Sequence, residues 1–237
     1  GKKVMLFDAD LSLANAQIAL GCATPYNMSH FLAGQKTLAE IVVKTRQGVM
    51  LVPGASGMLG MAAIDPQQTA QMVREFSAFD QKIDYLVVDL PAGISPMVMT
   101  LLSACTRRFV VIQDDPSSIA DAYGTIKVMV QNQKLDEIYL IPNAVESEAH
   151  GRQLHARINQ VCAKFLDRTV RYLGAIEKDE MILQSLKKFQ SVLDHAPGSA
   201  AARDFRRLAD SVEQLPKLPQ LSGGIQFFVE RLVQTAT

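Results

Sequence analysis

The chain has 237 residues, 48% of them hydrophobic, which is enough for a full core and excludes disorder or a fibrous repeat as its main state. Twenty-four Lys+Arg balance 24 Asp+Glu, so no overall field draws it to nucleic acid or an anionic membrane, and such a partner must be met by a local patch. Cys22, Cys105 and Cys162 are widely spaced and form no CxxC pair, which argues against a disulfide framework or a zinc site; no apolar run reaches the roughly 18–20 residues that span a bilayer.

In chain order, short apolar runs of strand character are expected at Val4–Phe7, Val49–Val52, Tyr85–Val88, Phe109–Ile112, Ile138–Ile141 and Tyr172–Ile176. Helical periodicity lies between them. Pro66 to Phe79 places Met72, Val73 and Phe76 at core spacing, and Ser117 to Val130 does the same with Ile119, Tyr123, Ile126 and Val130. Strands with little alternation, separated by helices, predict an α/β fold: a mostly parallel sheet with helices on both faces. A last globular helix is expected over about Ser199 to Val212. Residues 1–213 read as one domain, and Leu215 to Gly224, punctuated by Pro and Gly, as a linker within 214–224. Residues 225–237 then read as an amphipathic helix, with Ile225, Phe228, Leu232 and Val233 on one face and Phe227 breaking the polar face. No initiator Met precedes Lys2-Lys3 and the first strand, so the sequence reads as beginning in mid-domain.

Two strand ends carry acids. Asp8 and Asp10 follow the first strand, where ligands of open α/β sheets collect, and two carboxylates there suit a hydrated Mg²⁺ or an oriented water. A helix-capping Asp at a solvated strand end is the alternative. Asp89-Leu90-Pro91-Ala92-Gly93 closes the run Tyr85–Val88 in the manner of a Walker B strand, in which the acid reaches a metal through water and the Gly lets backbone approach a γ-phosphate. The bland alternative is a Pro/Gly turn with an incidental Asp. Cys105 reads as core, and His150 with His155 lacks the spacing and the third ligand of a metal site. Arg107-Arg108 and Arg203, Arg206 and Arg207 read as solvated charges.

The segments KKVMLFDADLSLANAQIALG, VMLVPGAS, YLVVDLPAGIS and DDPSSIADAY together resemble the MinD/ParA class of P-loop ATPases with a deviant Walker A motif, in the FlhG/FleN branch of flagellar number and placement regulators. The resemblance runs from Lys2 to about Leu215 and includes the tail IQFFVERLV. It implies ATP and Mg²⁺ as cofactors. It also implies Asp8 as the Mg²⁺-shell acid, Asp10 as the acid that positions the attacking water, Asp89 as the Walker B acid reaching Mg²⁺ through water, and Pro91 and Gly93 as switch II. Asn143 resembles the adenine-reading asparagine, with a strand-end turn residue as its alternative, and Asp179 matches the acid of the base pocket. Two departures stand out. The GKGGxGKT phosphate loop has no counterpart and is expected upstream of Lys2, together with the central strand and helix that carry it, so the chain alone is expected to be inactive. Glu177 stands where the family usually has Pro.

By the same resemblance the expected partners are a second copy in a homodimer, a flagellar signal-recognition-type GTPase and a flagellar transcriptional activator. The tail, through Ile225, Phe228, Leu232 and Val233, is expected to reach the inner face of the cell membrane from the cytoplasm, weakly and reversibly, or to pack back on the domain. Two further readings differ in class: a P-loop-less, non-catalytic interaction protein of the same fold, and a ParA-type partitioning ATPase. Zero net charge and the apolar tail count against the nucleic-acid binding that the last one needs.

Overall fold

The computed structural model describes residues 1–11, 14–55, 66–216 and 227. They form two compact units, one over Gly1–Ala104 with Phe227 and one from Cys105 onward. The linker residues Ser222 to Gly224 and the tail residues Ile225, Phe228, Leu232 and Val233 lie outside the described residues.

The first unit runs β1 (Val4–Asp8), α1 (Ala16–Ala19), α2 (Met28–Leu32), α3 (Leu38–Ile41), β2 (Val43–Lys44), β3 (Met50–Val52), α4 (Pro66–Ser77), β4 (Tyr85–Asp89) and α5 (Pro96–Ala104). Its four-stranded sheet has the order β2-β3-β1-β4, parallel except for β2. β1 lies inside the sheet, paired with β3 on one side and β4 on the other. Met5 and Phe7 share one of its faces and are fully buried, and the Phe7 ring packs tilted on Phe76 of α4 at 4.8 Å between centroids. Asn27 and Thr37 start α2 and α3 through capping boxes with His30 and Glu40. Phe227 joins this core, its ring edge-on to Phe76 at 5.5 Å and its N–H donating to the Ala104 carbonyl at 3.3 Å. The aromatic that interrupts the polar face of the tail is therefore packed against protein.

The second unit runs β5 (Arg108–Ile112), α6 (Pro116–Gln131), β6 (Ile138–Val145), α7 (Glu148–Leu166), β7 (Arg171–Tyr172), β8 (Ile176–Glu177), α8 (Glu180–Lys187), α9 (Val192–His195) and α10 (Ala200–Gln214). β6 is the central strand, parallel to β5, β7 and β8. The DDPSS segment is a helix start: Asp115 accepts from the Ser118 N–H at 2.9 Å and Pro116 opens the first turn of α6. The run Tyr172–Ile176, expected as one strand, splits into β7 and β8. A side chain at Gly174 would stand 3.2 Å from Leu208 of α10, so the chain bends there to let the helix close on it.

Among the edge strands of the described residues, β4 and β5 are the longest. β4 pairs only with β1, and β5 only with β6. Both edges are apolar, with Val87 48% exposed on β4 and Val111 58% exposed on β5.

Candidate functional site

In a parallel sheet the carboxyl ends of all strands point the same way, so in-register acids converge without any special loop. β1 and β4 are adjacent and Asp8 is in register with Asp89, while Asp10 follows two residues beyond Asp8. Sequence reasoning set these three acids together, and the first unit brings them together. They differ sharply in environment.

Asp8 is buried, and its carboxylate accepts three backbone N–H groups, from Asp10 at 3.2 Å, Asn15 at 3.1 Å and Ala16 at 3.0 Å. It therefore ties down both ends of the loop that carries Asp10 and starts α1. Asp89 is exposed at the tip of β4, and its backbone carbonyl accepts the Ala9 N–H at 2.8 Å, which extends the β1–β4 ladder into the loop. The Asp89 carboxyl is raised above the ordinary carboxylate range, first by partial burial and then by the negative charges of Asp8 and Asp10. A cation beside it would relieve that repulsion.

Among the described residues, no group of three His, Cys, Asp or Glu side chains could hold a metal ion by itself. Asp89 is the open carboxylate of the pair, and Asp8 is the one that shapes the loop. Beyond Asp89, Pro91 begins the turn and Gly93 adopts φ +108°, a conformation that only glycine takes without strain.

Asn143 and Asp179 belong to the second unit, at the carboxyl ends of β6 and β8. Asn143 is half-buried and in register with Ile176, and the next residue, Ala144, takes φ +54°, rare for a side chain with Cβ. Asp179 caps two helices. One oxygen accepts the Met181 N–H at 2.9 Å and the other the Ala201 N–H at 3.0 Å, and these bonds hold its carboxyl below the usual range. Its carboxylate thus organises the turn rather than standing open.

A second buried carboxylate, unforeseen in the sequence, makes the reciprocal contact. Asp204 of α10, only 2% exposed, accepts the Glu177 N–H at 2.9 Å and also holds Arg207. The β8–α8 turn and α10 therefore exchange carboxylate-to-amide bonds. The departure from Pro at Glu177 was the signal for it, because proline has no N–H to give.

Several surface expectations change. Arg108, expected to be solvated, is buried and donates to the carbonyls of Asp136 at 3.1 Å and Thr106 at 3.4 Å and to that of Cys105. The two histidines have separate partners: His150 Nε2 meets Asp114 at 2.6 Å, and His155 Nε2 meets the Val170 carbonyl at 2.9 Å. Cys105 is half-buried and not among the core residues; desolvation pushes its thiol up to about 11, which disfavours a nucleophilic thiolate. No helix among the described residues is long and apolar enough to cross a membrane.

The sequence profile of the family described as cellulose biosynthesis protein BcsQ matches residues 29–212. The antiactivator FleN of Pseudomonas aeruginosa is 35% identical over 234 residues, covering 99% of this chain and 84% of FleN. The flagellum site-determining protein YlxH of Helicobacter pylori is 30% identical, over 99% of this chain and 80% of its own length. Among solved structures, the septum site-determining protein MinD of Pyrococcus horikoshii, complexed with Mg-ADP, superposes with a TM-score of 0.72 at 23% identity, over 90% of this chain and 84% of that one. MinD of Pyrococcus furiosus gives a TM-score of 0.74 at 21% identity, over 91% and 87%. The fold is that of the MinD/ParA P-loop NTPases.

Proposed function

We propose that this chain, which belongs to the MinD/ParA family of ATPases that the BcsQ profile also describes, is an ATP- and Mg²⁺-dependent switch that regulates flagellar number and placement. The observation that carries the reading is the in-register pair Asp8 and Asp89 on neighbouring parallel strands, with Asp10 on a loop that Asp8 anchors. Phosphoryl transfer is mostly positioning and charge neutralisation, and these residues are suited to both.

Mg²⁺, when bound, neutralises charge on the phosphates of ATP; Asp89 would hold it through water, beside Asp8. Asp10, on the loop that the Asp8 carboxylate anchors, orients the attacking water. Pro91 and Gly93 shape the turn after Asp89. By the resemblance, Asn143 and Asp179 would contact the base, Asp179 through the turn that it caps.

In this reading ATP drives a homodimer in the cytoplasm, and the tail residues Ile225, Phe228, Leu232 and Val233 bring the dimer reversibly to the membrane. Phe227 itself packs on Phe76. A flagellar signal-recognition-type GTPase and a flagellar transcriptional activator are the protein partners. The test is genetic and visual: Asp10→Ala in the chromosomal gene, followed by a count of flagella per cell. An altered count, with protein levels unchanged, is the expected outcome; a wild-type count and position sinks the proposal.

A further inference from the structure

β3 is followed by Pro53-Gly54-Ala55, all buried, and this segment at the end of the strand lies against the loop that leaves β1. A Cβ on Gly54 would stand 2.6 Å from the Asp10 carbonyl oxygen, 2.7 Å from the Asp8 carbonyl oxygen and 2.7 Å from the Ala14 Cβ. Two of these three atoms are backbone, so no rotamer change relieves the collision. On the same side, the Ala14 N–H donates to the Ala55 carbonyl at 3.1 Å. The loop is thus held by the Asp8 carboxylate through the amides of Asp10, Asn15 and Ala16, and by the end of β3 through close approach at Gly54 and a hydrogen bond at Ala55.

We propose that Gly54 is a positioning residue for the acidic site: its lack of a side chain seats the Asp8–Asp10 main chain on the end of β3 and so fixes where Asp10 stands beside Asp89. The functional meaning rests on the reading of Asp10 as the acid that orients water, but the placement itself is a property of this chain and is tested without ATP. What Gly54 supplies is space, and β3 contributes to the site although none of its side chains is an acid.

The test compares Gly54→Ala with wild type and with Gly124→Ala, a helical glycine whose added Cβ meets nothing within 4 Å. Two readouts are taken on the full chain by NMR: amide exchange at Ala14, Asn15 and Ala16, and titration of the Asp89 carboxyl. The expected result for Gly54→Ala is exchange at those three amides at least about tenfold faster, as for local opening, with Leu51 and Val52 unchanged. Asp89 then titrates closer to an ordinary carboxylate, because Asp8 and Asp10 have moved relative to it. Gly124→Ala matches wild type in both. Wild-type exchange and titration in Gly54→Ala overturns the proposal, and so does a uniform rise in exchange with Asp89 unmoved, which marks a general loss of stability. If Gly54→Ala does not fold, the unmodified protein decides: protected amides at Ala14, Asn15 and Ala16 support the seat, and exchange as fast as in an unstructured chain overturns it. Separately, Asp10→Ala turning over ATP at the wild-type rate in the native protein would sink the functional reading of Asp10 and leave the seat to be judged by the amides.

Discussion

Replacing Glu177 by Pro restores the residue usual in the resembling family, yet it should destabilise this protein. The Glu177 N–H is the donor to Asp204, whose carboxylate is 1% exposed and has Arg207, a side chain 63% exposed, as its other partner. A hydrogen bond to a charged, buried acceptor contributes about 1.5–3 kcal/mol, and losing it leaves a desolvated lone pair in the α10 interface. Glu177→Ala keeps the N–H and serves as the control for the side chain itself. Urea or thermal unfolding should place Glu177→Pro about 1.5–3 kcal/mol below Glu177→Ala, which for a chain of this size is roughly 3–12 °C in Tm. In an Asp204→Ala background the same Pro substitution should cost much less, because the acceptor is already gone, so a double-mutant cycle isolates the pair. Equal stability of the Pro and Ala variants, or an equal cost with and without Asp204, refutes the reasoning.

The remaining predictions concern the acids, the tail and a thiol. Asp89 has a folded-state pKa above its unfolded value, so its ionisation opposes folding, and the penalty appears as pH rises through the ordinary carboxylate range toward the raised value. Asp89→Asn should therefore raise Tm at pH 7 and lose that advantage at pH values below both pKa values; an equal gain at both ends contradicts the charge cluster. Phe227→Ala should remove an edge-on contact with Phe76 and cost the first unit about 1–2 kcal/mol, with faster proteolysis after Pro216; unchanged cleavage there would show that Phe227 does not hold the tail. Cys105, with its thiol pushed up to about 11, should react with iodoacetamide at pH 7.5 far more slowly than in the denatured chain, and equal native and denatured rates count against its burial.

The strands at Val4, Tyr85, Phe109 and Ile138 are legible in the sequence because continuous apolar runs have no other stable place than a sheet covered on both faces. Asp8, Asp10 and Asp89 are legible because they close such runs, and parallel register then brings them together. What the sequence does not announce is set by close approach between distant segments. The division of Tyr172–Ile176 depends on Leu208 pressing on Gly174, and the burial of Arg108 depends on three loop carbonyls that happen to face it. β2 has two residues and leaves no periodic trace. The division of labour between Asp8 and Asp89 is likewise invisible in a one-dimensional pattern, since both simply follow an apolar run, while three amides choose Asp8 as their acceptor.

The most direct test of the central claim is the mass of the native protein in solution by sedimentation velocity, with Mg²⁺ and ATP, with Mg²⁺ and ADP, and with no nucleotide. The account predicts a monomer without nucleotide or with ADP and a dimer with ATP, the dimer persisting in Asp10→Ala because the water is no longer oriented for attack. The same mass under all three conditions contradicts a nucleotide-driven switch and favours a non-catalytic interaction protein of the same fold.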